Sequence, residues 1–575
     1  MSRFRQSTLV LAALAAAPLA AQSAAADPRV GLKTGWKDAG EAIRGLALVS
    51  HTDRPEGFVT PSMPGSFANA NSDLAFKGSL VFVGNFNGFQ VYDVADPKAP
   101  RLRATVTCPG GQGDVSVHGN LLFMSVEEAR GRVDCGEQGV RDTASAERFR
   151  GVRIFDISNV EQPRQVGFVQ TCRGSHTHTL VPDAKDASRV FVYVSGTGFV
   201  RPSAELAGCV RNMRDPNTSL FSIDVIEVPL ANPQAARIVA SPRIFADASG
   251  KVAGLWQGGA HGEGTQMTAM TDQCHDITVY PELGLAAGAC SGNGILLDIS
   301  NPAAPRRIDE VTDPNFAYWH SATFSNDGRV VLFSDEWGGG TAARCRATDK
   351  PTWGANALFT LANRKMTPAG HYKLPAPQTD AENCVAHNGS LIPIPGRNVM
   401  VQAFYQGGLT VFDFTDPRDV KEIAFFDRGP VSERLTLGGF WSTYWYDGRI
   451  YGSEIARGLD ILELQPSEHL SRNEIEAAKT VRMELLNPQT QTRLVWPPSF
   501  VLARAYVDQL ERDRQLPAAR VAAVRRALDA AERGTGTARA TQLRTLATGL
   551  DRDARGKGAE KVRLLAGVVR ELGKS

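Results

Sequence analysis

Four of the ten histidines share one register. His176 stands six positions before Pro182, His275 six before Pro281, and His387 six before Pro393. His320 aligns through Thr323-Phe324, matched by Thr278-Val279 after His275. Imidazole offers a neutral nitrogen near pH 7 and suits Fe, Cu, Zn or Mn, so four converging rings would make one metal site. One divalent transition metal is therefore expected on His176, His275, His320 and His387, with Fe or Cu favoured and Mn or Zn admitted. The competing reading is a polar ring that holds neighbouring sheets together, because a histidine taken singly is more often a hydrogen-bonded structural residue.

Carboxylates recur in a second register. Glu127, Glu336 and Glu454 close Ser-Val-Glu, Ser-Asp-Glu and Gly-Ser-Glu. A carboxylate that accepts the far N–H of a ligating histidine fixes the ring and raises its basicity, the role expected of Glu127 and Glu454. Glu336, in the same repeat as His320, is the expected catalytic carboxylate. Tyr318, Trp319, Trp337, Phe440 and Trp441 crowd these positions and are expected to wall an apolar or aromatic ligand, although packing between sheets would use them equally. His178 and His261 fall outside the register. The latter sits in Gly258-Gly-Ala-His-Gly-Glu-Gly264, a lid or a loose loop. No P-loop, no Gly-x-Ser-x-Gly and no His-Glu-x-x-His occurs, which leaves nucleophilic hydrolysis without support.

Repeated elements must position these groups. Gly88-Phe-Gln-Val-Tyr-Asp93, Gly151-Val-Arg-Ile-Phe-Asp156, Gly294-Ile-Leu-Leu-Asp298 and Gly408-Leu-Thr-Val-Phe-Asp413 align, each followed three residues later by Asp96, Asn159, Asn301 or Asp416. Pro100, Pro163 and Pro305 come next, with Val420 in the fourth copy. An apolar β-branched run, an Asp/Asn turn and a further run make strand–turn–strand. A second hairpin precedes each unit, as in Thr323-Phe-Ser-Asn-Asp-Gly328 running into Val330-Val-Leu-Phe333. Two hairpins per repeat predict four-stranded blades starting near residues 71, 113, 176, 275, 320, 387 and 440. The fold class expected is all-β: a seven-bladed β-propeller over residues 27–466 with a small C-terminal α-helical domain over 467–575. The last blade lacks an outer strand, and residues 44–50 (Leu46-Ala-Leu-Val-Ser50 within them) are expected to supply it.

The bulk properties place the chain outside the cytoplasm. Arg3 and Arg5 precede a short apolar run and Ala24-Ala25-Ala26, so residues 1–26 read as a signal peptide, and no later segment is long enough to span a bilayer. The eight cysteines are expected to pair as 108–135, 172–209, 274–290 and 345–384, although their number allows about 105 pairings. Lys and Arg number 63 against 61 Asp and Glu, so nothing points to nucleic acid. A secreted protein, periplasmic or extracellular, that acts on a small molecule or polymer is expected. In the tail, Ser471 with Glu474 has capping-box spacing, and residues 499–514, 517–533 and 537–554 have helical periodicity.

Through its Gly…Asp…Asp/Asn-Pro units the chain resembles the bacterial LVIVD-repeat family, which implies a secreted propeller and is silent on activity. In site layout it is similar to the carotenoid oxygenases and to methanethiol oxidase (selenium-binding protein), which place histidine ligands inside a propeller. That likeness implies redox or oxygenase-type chemistry at Fe or Cu. A metal-dependent polysaccharide lyase, with Arg173 and Arg201 as clamps on a uronate carboxylate, is a second enzyme reading. A non-catalytic cell-surface scaffold is the third.

Overall fold

The computed structural model describes residues 27–556 and 558–574. The expected leader therefore lies outside the described residues. Apart from the two-stranded ribbon Gly259–Ala260 and Met267–Thr268, the described strands form five sheets of four or five strands and one of nine. The unit of these sheets is an antiparallel meander, for example Val115–His118, Leu121–Val126, Gly151–Asp156 and Arg164–Gln170. The arrangement is propeller-like.

The repeated Asp/Asn pairs explain the sharp turn after the third strands that carry them. The side chains of Asp93 and Asp96 accept the backbone N–H groups of Ala95 and Lys98, and Asp156 with Asn159 and Asp413 with Asp416 repeat the pattern. Two Asx turns in succession reverse the chain without help from distant residues. Gly88 and Gly151 open their strands at φ +137° and +147°, where a Cβ would lie 1.9 and 2.0 Å from the Val106 and Val169 carbonyl oxygens. Only glycine fits there.

Between sheets the faces interdigitate. Phe82, Phe89 and Val91 of one sheet pack on Val117, Leu122 and Met124 of the next, all buried, each side chain contributing roughly 1.5–3 kcal/mol. The first strands of adjacent sheets stand side by side, stitched by hydroxyls. Thr179 Oγ1 donates to the Ile277 carbonyl at 2.7 Å and Thr278 Oγ1 to that of Ala322 at 2.7 Å. Residues just ahead of these strands are thereby brought level.

The nine-stranded sheet is two meanders joined by a short parallel contact, Asn388 with Ser442 and Gly389 with Thr443. Its edges come from the N-terminal region. Glu41–Arg44 pairs with Lys421–Arg428, and Leu46–Asp53 pairs antiparallel with Gly458–Leu464.

After Gly458–Leu464 the chain forms Arg472–Ala478, a helix opened by a Ser471/Glu474 capping box. It then crosses the end of the sheets opposite the histidines. Asn487 clamps both backbone groups of Val117 (2.7 and 2.8 Å), and Gln491 clamps those of Phe324 (3.0 and 2.8 Å). Helices Phe500–Arg512, Ala518–Arg533, Gly536–Asp553 and Ala559–Leu572 enclose an apolar core of their own, including Leu510, Val524, Leu543 and Leu565.

Candidate metal centre

His176, His275 and His387 lie one or two residues ahead of the first strands His178–Pro182, Ile277–Tyr280 and Asn388–Ile392, whereas His320 is the second residue of Trp319–Phe324. The four rings form a row. Centroids are 4.4 Å apart from His176 to His275, 3.8 Å from His275 to His320, and 4.2 Å from His320 to His387. His176, His275 and His387 border a cavity of about 350 Å³ whose other walls include Gln112, Glu127, Tyr318, Glu336, Tyr405 and Trp441, and His320 lies buried between its neighbours.

Hydrogen bonding at three of the four rings follows one rule. Nδ1 of His176 is 2.5 Å from Glu127 Oε1, Nδ1 of His275 is 2.9 Å from Asp276 Oδ1, and Nδ1 of His387 meets the Trp441 carbonyl. An acceptor at Nδ1 fixes the proton there and leaves Nε2 as the lone-pair nitrogen, the arrangement found around metal-bound histidines. Nε2 of His387 and both nitrogens of His320 are buried without a hydrogen-bond partner. Such orphaned polar atoms are costly unless something else satisfies them. Burial, reinforced by the neighbouring imidazoles, holds His275, His320 and His387 well below the usual range, and so neutral.

His176 differs. Burial opposes its charge, but the Glu127 carboxylate outweighs that and pushes it up to about 9. Glu127, whose burial alone would raise it, is drawn down to about 2 by His176 and by the Thr197 hydroxyl at 2.6 Å. Nε2 of His176 is 2.8 Å from the Gln112 amide nitrogen. A metal on this ring would displace both that contact and the imidazolium proton.

Glu336 faces two of the rings, its oxygens 3.9 Å from Nε2 of His320 and 3.9 Å from Nε2 of His387. Tyr405 donates its hydroxyl to Glu336 Oε1 at 2.5 Å. Burial pushes the Glu336 carboxyl up to about 7 against that hydrogen bond. Two ligand groupings are compact enough for an ion, His275 with Asp276 and His320, and His320 with Glu336 and His387. His320 belongs to both.

Other expected positions need correction. Glu454 touches no histidine; it accepts the N–H groups of Gly439 and Ala456 at 3.0 and 2.8 Å and pairs with Arg457 at 2.8 Å, ordering its own turn. Trp319 and Phe440 do not wall the cavity. Each neighbours an inward-facing residue, so strand alternation sends it into the core between sheets, Trp319 against Phe316 and Phe333, Phe440 against Phe426. Trp337 packs outside the wall, edge-on to Trp353 and beneath the Arg344 guanidinium. Tyr318 and Trp441 do line the cavity. The expected lyase clamps are engaged elsewhere: Arg173 donates to the Gly198 and Asp272 carbonyls, and Arg201 pairs with Glu205. His178 hydrogen-bonds Ser125, and His261 stacks on Trp256 with centroids 3.8 Å apart. Gln112, Asp276 and Tyr405 were not signalled by the histidine register. Tyr405 follows the second strand Val399–Ala403, much as Glu127 and Glu336 end or follow theirs, and that shared offset is the one sequence cue to it.

Four disulfides join Cys108 to Cys135, Cys172 to Cys209, Cys274 to Cys290 and Cys345 to Cys384, the pairs that the cysteine order predicts. They fit an oxidising, extracellular or periplasmic setting. No described helix is long and apolar enough to cross a membrane.

No family model matches the chain, and no curated protein matches it either. Among solved structures, a Bacteroides fragilis protein provisionally described as a 6-phosphogluconolactonase is 8% identical, with 67% of this chain and 88% of that one covered at a TM-score of 0.38. A Lactobacillus plantarum protein is 11% identical over 62% and 82% of the two chains, with a TM-score of 0.37. Hydrazine synthase of Kuenenia stuttgartiensis is 13% identical over 69% and 95%, with a TM-score of 0.39.

Proposed function

We propose that the chain is a secreted, seven-bladed propeller metalloenzyme of the LVIVD-repeat type, with redox or oxygenase-type chemistry on an extracellular small molecule. His176, His275, His320 and His387 would hold one divalent transition metal, Fe or Cu before Mn or Zn. The single observation that carries this reading is the shared anchoring of Nδ1 on His176, His275 and His387, beside buried imidazole nitrogens on His320 and His387 that bond nothing. A structural ring of histidines would spend those nitrogens on one another or on the backbone. The metal, when bound, supplies a Lewis-acid or redox centre at the cavity floor.

The chain's own groups surround that floor. Glu336 is the acid–base residue, placed between two ligand rings and the Tyr405 hydroxyl. Tyr318, Tyr405 and Trp441 offer flat faces to an apolar or aromatic substrate. Elimination beside a uronate is not supported, since both clamp arginines are consumed.

Elemental analysis of the purified mature protein tests the reading. About one equivalent of Fe or Cu per chain is expected, falling at least tenfold in His275→Ala/His320→Ala with unchanged circular dichroism. Wild-type protein that neither carries nor takes up a transition metal would sink the enzyme and leave a binding scaffold.

A further inference from the structure

Immediately beyond the histidine row the axis turns from nitrogen to oxygen. Asp276 follows His275 and Asn388 follows His387, while Asp73 and Asp114 come from the first two sheets of the ring. Their exposures are 1%, 4%, 0% and 4% respectively. The Asn388 amide donates to Asp73 Oδ2 at 3.2 Å, and the Asp73 N–H donates to Asp114 Oδ1 at 3.2 Å. The Tyr444 hydroxyl and the Leu74 N–H donate to Asp73 Oδ1, and the Ser442 hydroxyl stands beside the same carboxyl. Among the described residues no lysine or arginine hydrogen-bonds or pairs with Asp73, Asp114 or Asp276.

Two observations point to a missing positive partner. Neighbouring buried carboxylates repel one another and resist ionisation unless a cation or a shared proton relieves them. Asp114 is held well above the usual carboxylate range by burial and then by Asp73, which together outweigh the pull of the charged His176 ring. Separately, Asp114 Oδ2 and Asn388 Oδ1 are buried without a hydrogen bond of good geometry, the Ser72 hydroxyl standing beside the Asp114 carboxyl. An amide whose nitrogen is committed to Asp73 leaves its carbonyl as a neutral ligand.

We propose that Asp73, Asp114 and Asn388 form a second axial site for a hard divalent cation of the Ca²⁺ or Mg²⁺ class, separate from the histidine centre. Oxygen-only donors with two negative charges match that class and not a nitrogen-seeking transition metal. The site shares no ligand with the histidine row, so each proposal can fail alone.

The test uses full-length mature protein stripped with EDTA, desalted and titrated with Ca²⁺, with Tb³⁺ luminescence as a second probe. Expected are one equivalent bound and a melting temperature that rises with Ca²⁺. Affinity should fall at least tenfold in Asp114→Asn and Asp73→Asn, and stay as in wild type in His275→Ala/His320→Ala. If the aspartate variants do not fold, Asn388→Ala, which removes a neutral ligand, should show the same tenfold loss. No binding by wild type, or binding that all three variants retain, overturns the site. A carboxylate pair that merely shares a proton would bind no ion and would be stabilised by Asp114→Asn.

Discussion

A buried imidazole with both nitrogens unpaired, as at His320, forfeits hydrogen bonds that water would supply in the unfolded chain. Glu454 shows the opposite use of a buried polar group, every oxygen taken by its own turn and by Arg457. Glu454→Ala would strand the buried Arg457 charge and should cost about 3 kcal/mol in urea unfolding. Metal content should not change; a parallel loss of metal would return Glu454 to the site. In sequence, Glu127, Glu336 and Glu454 look alike because a strand-end carboxylate can turn toward the axis or back onto its own loop. What decides is the neighbouring chain: His176 for Glu127, Tyr405 for Glu336, Arg457 for Glu454. None of these partners is close in sequence to its glutamate except Arg457, three residues on, and that proximity was the available clue. Tyr405 stayed hidden for a different reason. Its backbone sits at φ +48°, a conformation that a bulky residue adopts only under tertiary constraint, and apart from its place after a second strand no local pattern announces it.

At the scale of elements, the histidine loops depend on covalent ties. Cys172, Cys274 and Cys384 precede His176, His275 and His387 by one to four residues, and each is half of a disulfide. Cys274→Ser/Cys290→Ser opens a loop with a sequence separation of 16, and should lower stability by about 3 kcal/mol on the loop-closure model. Because His275 is the next residue, the variant should also bind its transition metal more weakly, by competition against a chelator, while far-UV circular dichroism stays that of the sheets. Equal metal affinity in variant and wild type would show that strand packing alone places the ring. These loops were readable from the order of cysteines and histidines, since in each a cysteine comes first and a histidine follows within four residues, close to the start of a first strand. The segment across the far end was not readable. It is held by the Asn487 and Gln491 amides gripping the backbones of Val117 and Phe324, contacts that need no apolar periodicity.

Over the whole molecule, the N-terminal strands meet the sheet edges they cover at one ionic cluster. His51 of the strand Leu46–Asp53 has Nδ1 2.7 Å from Asp460 Oδ1 on Gly458–Leu464, and Asp460 also pairs with Arg428 of Lys421–Arg428. Arg428 reaches Glu41 at 2.7 Å, so both N-terminal strands are tied to the sheet edges they cover. Without those strands, Gly458–Leu464 and Lys421–Arg428 would present open edges to other molecules. Burial disfavours charge on His51 and Arg428 opposes it too, yet Asp460, helped by Glu454, raises its pKa above the ordinary value. The sign follows from linkage. A folded-state pKa above the unfolded one means that the contribution is complete below about pH 6.5 and is lost as pH climbs through the folded value. Asp460 is held low and Arg428 high by the same contacts, so neither titrates in that window. The loss should be small, about 1 kcal/mol or less, because the ring is partly solvated and keeps its N–H bond to Asp460 when neutral. Other groups also titrate between pH 6 and 8, which makes the informative quantity the difference between wild type and His51→Gln. That difference in unfolding free energy should favour wild type at pH 6 and shrink by pH 8. A difference that stays constant, or grows, would mean that His51 is neutral throughout and that backbone pairing alone seals the ring.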